Sequence, residues 1–244
     1  MSDGRTVIVT GGGYGIGRAT VLALARSGWT PVIYELYEER AQQTRELVAQ
    51  ADGRCDVFQG DVTDWKRVQE CVAYVMDEFG RIDGLVNNAG GRYAGTVLDL
   101  TEEQWDFTVD LVLKGAFLMC KAVVPHMISA GGGSIVNISS GDSYGRKGMV
   151  AYAAAKGGIN TLTLCLAADH LEHHIRVNAV LPGFTVTGMT EHYPPERLAA
   201  TGARLVAARP GQPEDVANMV EFLMSDKAET ITGAILGNLP LATH

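Results

Sequence analysis

The stretch Arg5-Thr-Val-Ile-Val-Thr-Gly-Gly-Gly-Tyr-Gly-Ile-Gly17 decides the fold. Its β-branched first half predicts a buried parallel strand at 5–10, and its second half is a glycine-rich turn. Residues 18–26 continue as an apolar helix that ends at Gly28. Glycines in such a turn let backbone N–H groups approach a phosphate, although glycines alone also suit a plain tight turn. The order of strand, glycine turn and helix therefore favours a nucleotide-binding α/β unit.

An acid at the end of the second predicted strand supports this interpretation. The strand Pro31-Val-Ile-Tyr-Glu35 ends 20 residues beyond Gly15. A carboxylate at this position would bind the ribose hydroxyls of an adenosine. The sequence therefore predicts that Glu35 and the glycine loop bind one dinucleotide.

Strands and helices alternate along the remaining chain, without repeats, charge blocks or linkers. This alternation predicts an α/β fold with a Rossmann-type, doubly wound parallel sheet of about seven strands and helices on both faces. We expect residues 1–244 to form one domain, with a flexible substrate flap at about 184–212, where Pro and Gly interrupt a weak helical pattern. Further strands are predicted at 31–35, 55–59, 82–87, 134–139, 175–181 and 233–236, and helices at 38–51, 64–79, 101–130, 150–170 and from 213.

The composition argues against several classes of partner. Hydrophobic residues make up 46% and charged residues 20% of the chain, which is ordinary for a soluble globular protein. The formal net charge of −8 argues against nucleic acid and anionic membranes as partners. No apolar run approaches the ~18 residues of a membrane span. The first strand begins about five residues after Met1, which leaves no room for a signal peptide.

The four cysteines and six histidines indicate no metal site. The cysteines lie far apart without a C-x-x-C pair, which favours reduced thiols over disulfides. The histidines lack the spacing of metal ligands. We therefore expect a soluble, cytoplasmic protein without a bound metal.

Tyr152 and Lys156 are the strongest catalytic candidates in the sequence. They are four residues apart, so on the predicted helix they share one face. Tyr titrates near pH ~10 and Lys near ~10.4, but in a partly dry cleft the ammonium lowers the pKa of the phenol. The pair would then move a hydroxyl proton, while Ser139 or Ser140 holds the substrate oxygen. For an isolated pair, a surface contact on an amphipathic helix is the alternative.

Together, these motifs resemble those of the short-chain dehydrogenase/reductase superfamily. The resemblance covers about residues 5–236, and the motifs stand in the order that the family has. They are Thr10-Gly11-(x3)-Gly15-Ile16-Gly17, Asn87-Asn88-Ala89-Gly90, Ser140 with Tyr152-(x3)-Lys156, and Pro182-Gly183-Phe184-Thr185-Val186-Thr187.

The resemblance implies the strand order 3-2-1-4-5-6-7, one nicotinamide cofactor, and a homodimer or homotetramer built on the two long helices. It implies that Tyr152 exchanges the hydroxyl proton and that Lys156 stabilises the phenolate and binds the nicotinamide ribose. Asp61 and Val62 would flank the adenine, and two threonines would hold the carboxamide. The implied cofactor-binding set is Gly11, Tyr14, Gly15, Ile16, Gly17, Glu35, Asp61, Val62, Asn88, Ala89, Gly90, Tyr152, Lys156, Pro182, Gly183, Thr185 and Thr187.

Three positions depart from the family pattern. The family serine usually lies 13 residues before the tyrosine, which fits Ser139, whereas the strand register fits Ser140 with one loop residue deleted. We favour Ser140, because a one-residue strand shift would reverse every side chain. Val112 stands where the family has an Asn in the long helix. In the family, the backbone carbonyl of that Asn holds a water on the path by which the proton moves from the Lys to solvent. Gly115 could supply the helix bend that this water site needs. The segment Leu236-Gly-Asn-Leu239 replaces the usual Val-Asp-Gly-Gly.

The sequence therefore predicts an NAD-dependent oxidoreductase that interconverts a secondary alcohol and a ketone with a Ser-Tyr-Lys site. NAD is favoured because Glu35 would repel a 2′-phosphate, and Tyr14 stands where NADP-users of the family often have a basic residue. The alternative is a non-catalytic, dinucleotide-binding regulatory protein of the same fold, which Val112 leaves open. Three further loop side chains either rim the pocket or are solvated, and we favour the second: Arg92, Tyr93 and Arg146.

Overall fold

A parallel sheet with helices on both faces forms the described part of the chain, which in this computed structural model comprises residues 4–188, 190, 193–203, 205 and 207–237. Among these residues, no helix is both long and apolar enough to cross a lipid bilayer. The strands are β1 (Thr6–Thr10), β2 (Thr30–Glu35), β3 (Asp56–Gln59), β4 (Gly84–Asn87), β5 (Gly133–Ile138), β6 (Ile175–Leu181) and β7 (Ile235–Gly237). The helices are α1 (Gly15–Arg26), α2 (Glu38–Gln50), α3 (Trp65–Phe79), α4 (Glu102–Val109), α5 (Gly115–Ala130), α6 (Val150–Asp169), α7 (Pro195–Gly202) and α8 (Pro213–Met224).

The strand order is β3-β2-β1-β4-β5-β6-β7, and all neighbouring strands are parallel. The predicted doubly wound sheet and the strand order that the resemblance implied are both confirmed. The order reverses between β1 and β4, so the loops that leave these strands diverge at the carboxyl edge of the sheet. A crevice at such a switch point is where open α/β sheets bind ligands.

The core has two layers because side chains alternate across each strand. In β1, Ile8 belongs to the layer that α3 and α5 cover, whereas Val7 and Val9 belong to the layer under α1, α2 and α8. All three are fully buried. The β-branched run that predicted the first strand is therefore buried on both faces, as a central parallel strand requires.

The flap region shows the largest difference from the predicted elements. The sequence indicated only weak helical patterning at 184–212, yet Pro195–Gly202 forms α7, which begins with Pro at its first position. The last strand is Ile235–Gly237, where 233–236 was predicted. That the chain is one domain with a flexible flap stays a prediction.

The long helix predicted at 101–130 is divided by a π-helical turn at Asp110–Lys114. Its start agrees with the sequence, since Thr101 and Gln104 form a capping box. Val112 lies inside the π turn and is 2% exposed. The helix is therefore irregular at Val112, and this turn precedes Gly115, the residue that the sequence suggested as the source of the bend. Gly115 instead allows a close approach to Val62, whose Cγ2 would lie 2.7 Å from an added Cβ.

Candidate active site

The glycine loop after β1 is held between α1 and the end of β4. Gly11 has a φ of 63°, which favours glycine. The Asn88 side-chain amide donates hydrogen bonds to the carbonyls of Thr10 (3.0 Å) and Gly11 (3.1 Å). A Cβ at Gly17 would lie 2.0 Å from the Gly11 carbonyl oxygen. Gly17 therefore brings the helix against the loop, and Asn88 fixes the loop to the neighbouring strand.

The start of α1 suits an anion. Tyr14 precedes the helix and makes no side-chain capping hydrogen bond to it, and the first turn contains no acidic residue. The backbone N–H groups of a first turn have no partner inside the helix, and the helix dipole favours negative charge there. The loop and helix thus fit the phosphates of a dinucleotide.

Glu35 occupies the position predicted for ribose recognition. It is 7% exposed, and its carboxylate accepts hydrogen bonds from the backbone N–H groups of Gly13 (3.0 Å), Leu36 (3.0 Å) and Tyr37 (3.3 Å). An ionised carboxylate offers about four acceptor sites. Glu35 therefore orders the glycine loop and keeps acceptor capacity for a ribose hydroxyl.

Two basic residues lie near Glu35. The guanidinium of Arg18 donates hydrogen bonds to the Gly13 carbonyl at 3.0 and 2.6 Å, and it also contacts α2 through Thr44 at 3.1 Å. The guanidinium carbon of Arg40 lies 4.6 Å from the centre of the Tyr37 ring. Arg40 lines the cavity beside the glycine loop, whereas Arg18 does not.

This first cavity, the dinucleotide cavity, has a volume of about 570 Å³. It adjoins a larger cavity of about 920 Å³, here called the substrate cavity, because both share Ile16, Asn88, Gly90 and Thr187. Sixteen of the seventeen predicted cofactor-binding residues line one of the two, and Gly17 lies behind the loop. Those on the dinucleotide cavity are Gly11, Tyr14, Gly15, Ile16, Glu35, Asp61, Val62, Asn88, Ala89, Gly90 and Thr187, and those on the substrate cavity alone are Tyr152, Lys156, Pro182, Gly183 and Thr185.

Tyr152 and Lys156 lie on one face of α6, in the wall of the substrate cavity. They are 7% and 4% exposed, and the Lys156 Nζ lies 5.6 Å from the centre of the Tyr152 ring. The ammonium donates a hydrogen bond of 2.5 Å to the Ile138 carbonyl at the end of β5. Burial lowers the pKa of Lys156 to about 7. Burial therefore disfavours the charged form of this lysine.

The hydroxyl groups of the two serines after β5 have different hydrogen-bond partners. Ser139 is 2% exposed, and its hydroxyl donates to the Lys156 carbonyl at 3.2 Å. The Ser140 hydroxyl accepts from the Asp142 backbone N–H at 3.1 Å and forms a hydrogen bond with Tyr152. The geometry therefore favours Ser140 as the partner of the phenol, in line with the strand-register argument.

Opposing influences act on the Tyr152 phenol. Burial raises the pKa of Tyr152, the positive charge of Arg92 lowers it, and the negative charge of Asp142 raises it. Hydrogen bonds from Ser140 and Arg92 also lower the pKa. The phenol is therefore dry, with an arginine as well as a lysine beside it.

The expectation for Arg92 is wrong. It lines the substrate cavity, and its guanidinium carbon lies 5.2 Å from the centre of the Tyr152 ring. Arg146 also lines this cavity, but its half-exposed side chain pairs with Asp142 at 3.3 Å. Tyr93 stays outside the lining, with its ring 5.4 Å from the ring of Phe107. The one available signal was that Arg92 follows β4 at the carboxyl edge of the sheet.

The outer wall of the substrate cavity includes aromatic side chains that the sequence analysis did not assign. Phe184 and Tyr193 are stacked with ring centres 6.0 Å apart, and Tyr144 also lines the cavity. Met189 and His192 of the predicted flap, and the residues of the Leu236-Gly-Asn-Leu239 departure beyond 237, lie outside the described residues.

Residues 11–237 match the model of a family described as enoyl-(acyl carrier protein) reductase. The chain is similar to the 3-oxoacyl-(acyl-carrier-protein) reductase FabG of Thermotoga maritima, with 38% identity over 236 residues, covering 96% of each chain. It is also similar to the oxidoreductase UcpA of Salmonella typhimurium, with 36% identity over 94% of this chain and 91% of that protein.

The fold is similar to solved structures as well. A crystal structure from Burkholderia xenovorans, described as a candidate short-chain dehydrogenase/reductase, superposes with a TM-score of 0.91 at 36% identity. The superposition covers 97% of this chain and 95% of the other. Sequence and fold comparisons therefore indicate the same group of proteins.

Proposed function

The chain belongs to the short-chain dehydrogenase/reductase superfamily of oxidoreductases, and from that premise we propose that it interconverts a secondary alcohol and a ketone with NAD. The observation that carries the proposal is the position of Tyr152 and Lys156. Both are buried in the wall of a cavity that adjoins the glycine-loop cavity. A proton-exchanging group next to a dinucleotide site is what reversible alcohol oxidation requires.

The proposed mechanism assigns the proton to the protein. In the direction of oxidation, the Tyr152 phenolate accepts the hydroxyl proton, and Ser140 holds the same oxygen by a hydrogen bond. A nicotinamide held in the adjoining cavity would supply the hydride chemistry in either direction. Lys156 stabilises the phenolate by its charge, and with a pKa lowered to about 7 by burial it passes the proton onward.

We propose NAD as the cofactor because of Glu35. A 2′-phosphate on the ribose would lie close to the Glu35 carboxylate. The repulsion is roughly 3 kcal/mol per pair of unit charges about 5 Å apart, at an effective dielectric near ~20. Arg18 is engaged with the Gly13 carbonyl and α2, and Arg40 is the cation beside the cavity. We therefore expect the repulsion between Glu35 and a 2′-phosphate to exceed any attraction of that phosphate to Arg40.

The expected result is a kcat/KM for NAD about a hundredfold above that for NADP. Glu35→Ser should reduce the ratio to below about tenfold, because it removes the carboxylate that repels the phosphate. Glu38→Ser is the control, since Glu38 is exposed, begins α2 and does not line the cavity. Steady-state kinetics with both cofactors measure the ratio, and equal values in the wild-type protein would contradict the assignment.

Val112→Asn tests the position that departs from the family. Val112 is buried in a cluster with Tyr152, and its π turn keeps the helix irregular there. The backbone carbonyl is present with either residue, so we propose a working but slowed proton path. We expect Val112→Asn to raise kcat or leave it unchanged, without altering NAD affinity measured by calorimetry. A wild-type protein that gains turnover only as Val112→Asn would instead be a dinucleotide-binding regulatory protein.

We further propose a small-molecule alcohol or ketone substrate, and a homodimer or homotetramer built on the long helices α5 and α6. Exposed large apolar side chains on these helices and on α4 support self-association, because such groups are commonly covered at interfaces. They are Trp105, Phe107, Phe117, Ile128 and Leu164.

A further inference from the structure

Phe184 places an aromatic ring in the wall of the substrate cavity, close to the proposed chemistry. It lies on the loop after β6, and its side chain is partly buried. The next residue, Thr185, is one of the two assigned to the carboxamide of the cofactor, and consecutive Cα atoms are only about 3.8 Å apart. The same loop is joined to the Ser140 segment, because the Gly141 backbone N–H donates a hydrogen bond to the Pro182 carbonyl at 3.2 Å. The Phe184 ring therefore lies within reach of a substituent on the reacting carbon.

Backbone hydrogen bonds hold Phe184 in place. Its carbonyl accepts a hydrogen bond from the Gly211 N–H at 2.9 Å, and the Val186 N–H donates to the Gly211 carbonyl at 2.9 Å. These contacts pair the loop after β6 with the segment that precedes α8. A side chain on a backbone that is already fixed loses little conformational freedom when a ligand packs against it. Phe184 is therefore a preorganised part of the wall.

A second ring supports the first. The rings of Phe184 and Tyr193 are nearly parallel, with an angle of 6° between their planes and their centres 6.0 Å apart. Tyr193 is held in turn, because its backbone N–H donates to the Thr190 carbonyl at 3.0 Å and the Arg197 guanidinium carbon lies 3.8 Å from its ring centre. Phe184 and Tyr193 both line the cavity, and together they are called the aromatic wall.

An aromatic wall favours a ligand that has an aromatic ring. Aromatic pairs adopt offset-stacked or edge-to-face arrangements, which contribute binding energy beyond the apolar area that they bury. An aliphatic ring of the same size buries a similar area but lacks the ring quadrupole that this alignment needs. The cavity volume of about 920 Å³ also leaves room for a phenyl group, since pockets of about 300–1,000 Å³ enclose ligands of drug size.

Resting on the function proposed above, we propose that the substrate is a secondary alcohol or ketone that carries an aryl group, and that this group packs against the aromatic wall. The reaction balances as before: in oxidation the hydroxyl-bearing carbon gives a hydride to the oxidised cofactor, and the hydroxyl gives its proton to Tyr152. The aryl group takes no part in bond changes. It positions the reacting carbon against Tyr152 and Ser140.

The test compares each phenyl alcohol with its cyclohexyl partner. The panel contains methyl carbinols whose phenyl or cyclohexyl ring is attached directly, through one methylene or through two. The phenyl-to-cyclohexyl ratio of kcat/KM reports the aromatic contact, because the two rings have nearly the same size. In the pairs with a methylene spacer, the ring is not conjugated with the product ketone, so the reaction itself is equally favourable for both members.

We expect a ratio of at least about fivefold for the best spaced pair in the wild-type enzyme, as an aromatic contact would give. Phe184→Leu keeps the apolar volume but removes the ring, and it should lower the ratio to below about twofold. Phe184→Tyr keeps the ring and should retain the preference, whereas Tyr193→Leu removes only the support and should lower the ratio by about twofold.

Phe222→Leu is the control for the loss of an aromatic ring. Phe222 lies on α8, is 41% exposed and does not line the cavity. Its replacement should leave the ratio at the wild-type value, because a ring outside the cavity does not contact the substrate. Calorimetry with NAD checks that each variant is folded, since none of these side chains is assigned to the cofactor.

Binding is measured separately from turnover, in complexes of the enzyme with NAD and the matching ketones, which cannot react because both partners are oxidised. The phenyl ketone should bind at least about fivefold more tightly than the cyclohexyl ketone, and Phe184→Leu should abolish the difference. Turnover without a phenyl preference, or a preference that Phe184→Leu leaves unchanged, would overturn the inference and leave the proposed function intact. Absence of turnover with every alcohol would overturn the proposed function, and the ketone complexes alone would then decide whether the wall selects aromatic rings.

Discussion

Tyr152→Phe is expected to lower kcat by about 1,000-fold or more while leaving NAD affinity nearly unchanged. The phenol oxygen is the only group lost, and it is the group assigned to exchange the hydroxyl proton. The ring stays in the cluster formed with Val112, Ala116 and Ile159, so the helix packing should not change. Steady-state kinetics and calorimetry with NAD measure the two quantities.

Tyr144→Phe is the matched control for this variant. Tyr144 lines the same cavity, but it is 72% exposed and lies in the loop before α6. Its loss of a hydroxyl should change kcat by less than about threefold, because an exposed phenol makes no obligatory contact with the reacting oxygen. Wild-type turnover by Tyr152→Phe would remove the central residue of the proposed mechanism.

Lys156→Ala is expected to reduce both turnover and NAD affinity, which separates it from the tyrosine variant. The ammonium is assigned to the phenolate and to the nicotinamide ribose, so its removal affects chemistry and binding together. We expect kcat to fall by about 100-fold or more. Calorimetry should show a weaker NAD complex, and an unchanged NAD affinity would contradict the ribose assignment.

Burial of Lys156 also predicts a pH-dependent stability. Its pKa falls from 10.5 to about 7 on folding, because burial disfavours the charged form. At a pH above the pKa of the unfolded state, Lys156 is neutral in both the folded and the unfolded state, so its burial costs no folding stability through charge. As the pH falls from about 10 towards 7, the unfolded state binds the proton first, and the folded protein loses stability at about 1.4 kcal/mol per pH unit.

Lys156→Met should therefore be more stable than the wild-type protein at pH 7, and its free energy of unfolding should depend less on pH between 7 and 9. Methionine fills similar space without a charge to desolvate. Denaturant titrations at several pH values measure this difference. The rise of stability with pH ends near pH 10. Burial raises the pKa of Tyr34, so above that pH the tyrosine ionises in the unfolded state first, and the folded protein loses stability again. If Lys156→Met were less stable than the wild-type protein at pH 7, burial of Lys156 would not cost the folding stability assigned to it here.

Local spacing was sufficient to predict the parts of the site that lie on one element. Tyr152 and Lys156 share a face because a helix brings positions four apart together, and the glycine turn follows directly from its strand. Glu35 was predicted because it ends the strand beside β1. These inferences needed only the period of a helix and the topology of an α/β unit.

Features that depend on the path of a loop could not be predicted. Arg92 lies on the loop after β4 and reaches Tyr152 on α6, and nothing in the spacing of the two residues indicates their contact. The choice between Ser139 and Ser140 depended on one deleted loop residue. Their hydroxyl directions became visible only when β5 was placed beside α6.

The π turn at Asp110–Lys114 was also missed, because one extra residue per turn hardly alters an apolar pattern. Gly17 packs closely against the glycine loop. A Cβ there would meet the Gly11 carbonyl, which is a close approach that sequence spacing does not distinguish from cofactor binding.

NADH formation by the purified wild-type protein tests the proposed function most directly. The assay supplies NAD with a panel of secondary alcohols, polyols, cyclic diols and hydroxy acids, and runs Tyr152→Phe in parallel. We expect NADH formation with at least one substrate by the wild-type protein, and a loss of about 1,000-fold in the variant. Binding of NAD without turnover of any substrate, or equal turnover by both proteins, would contradict the proposed function.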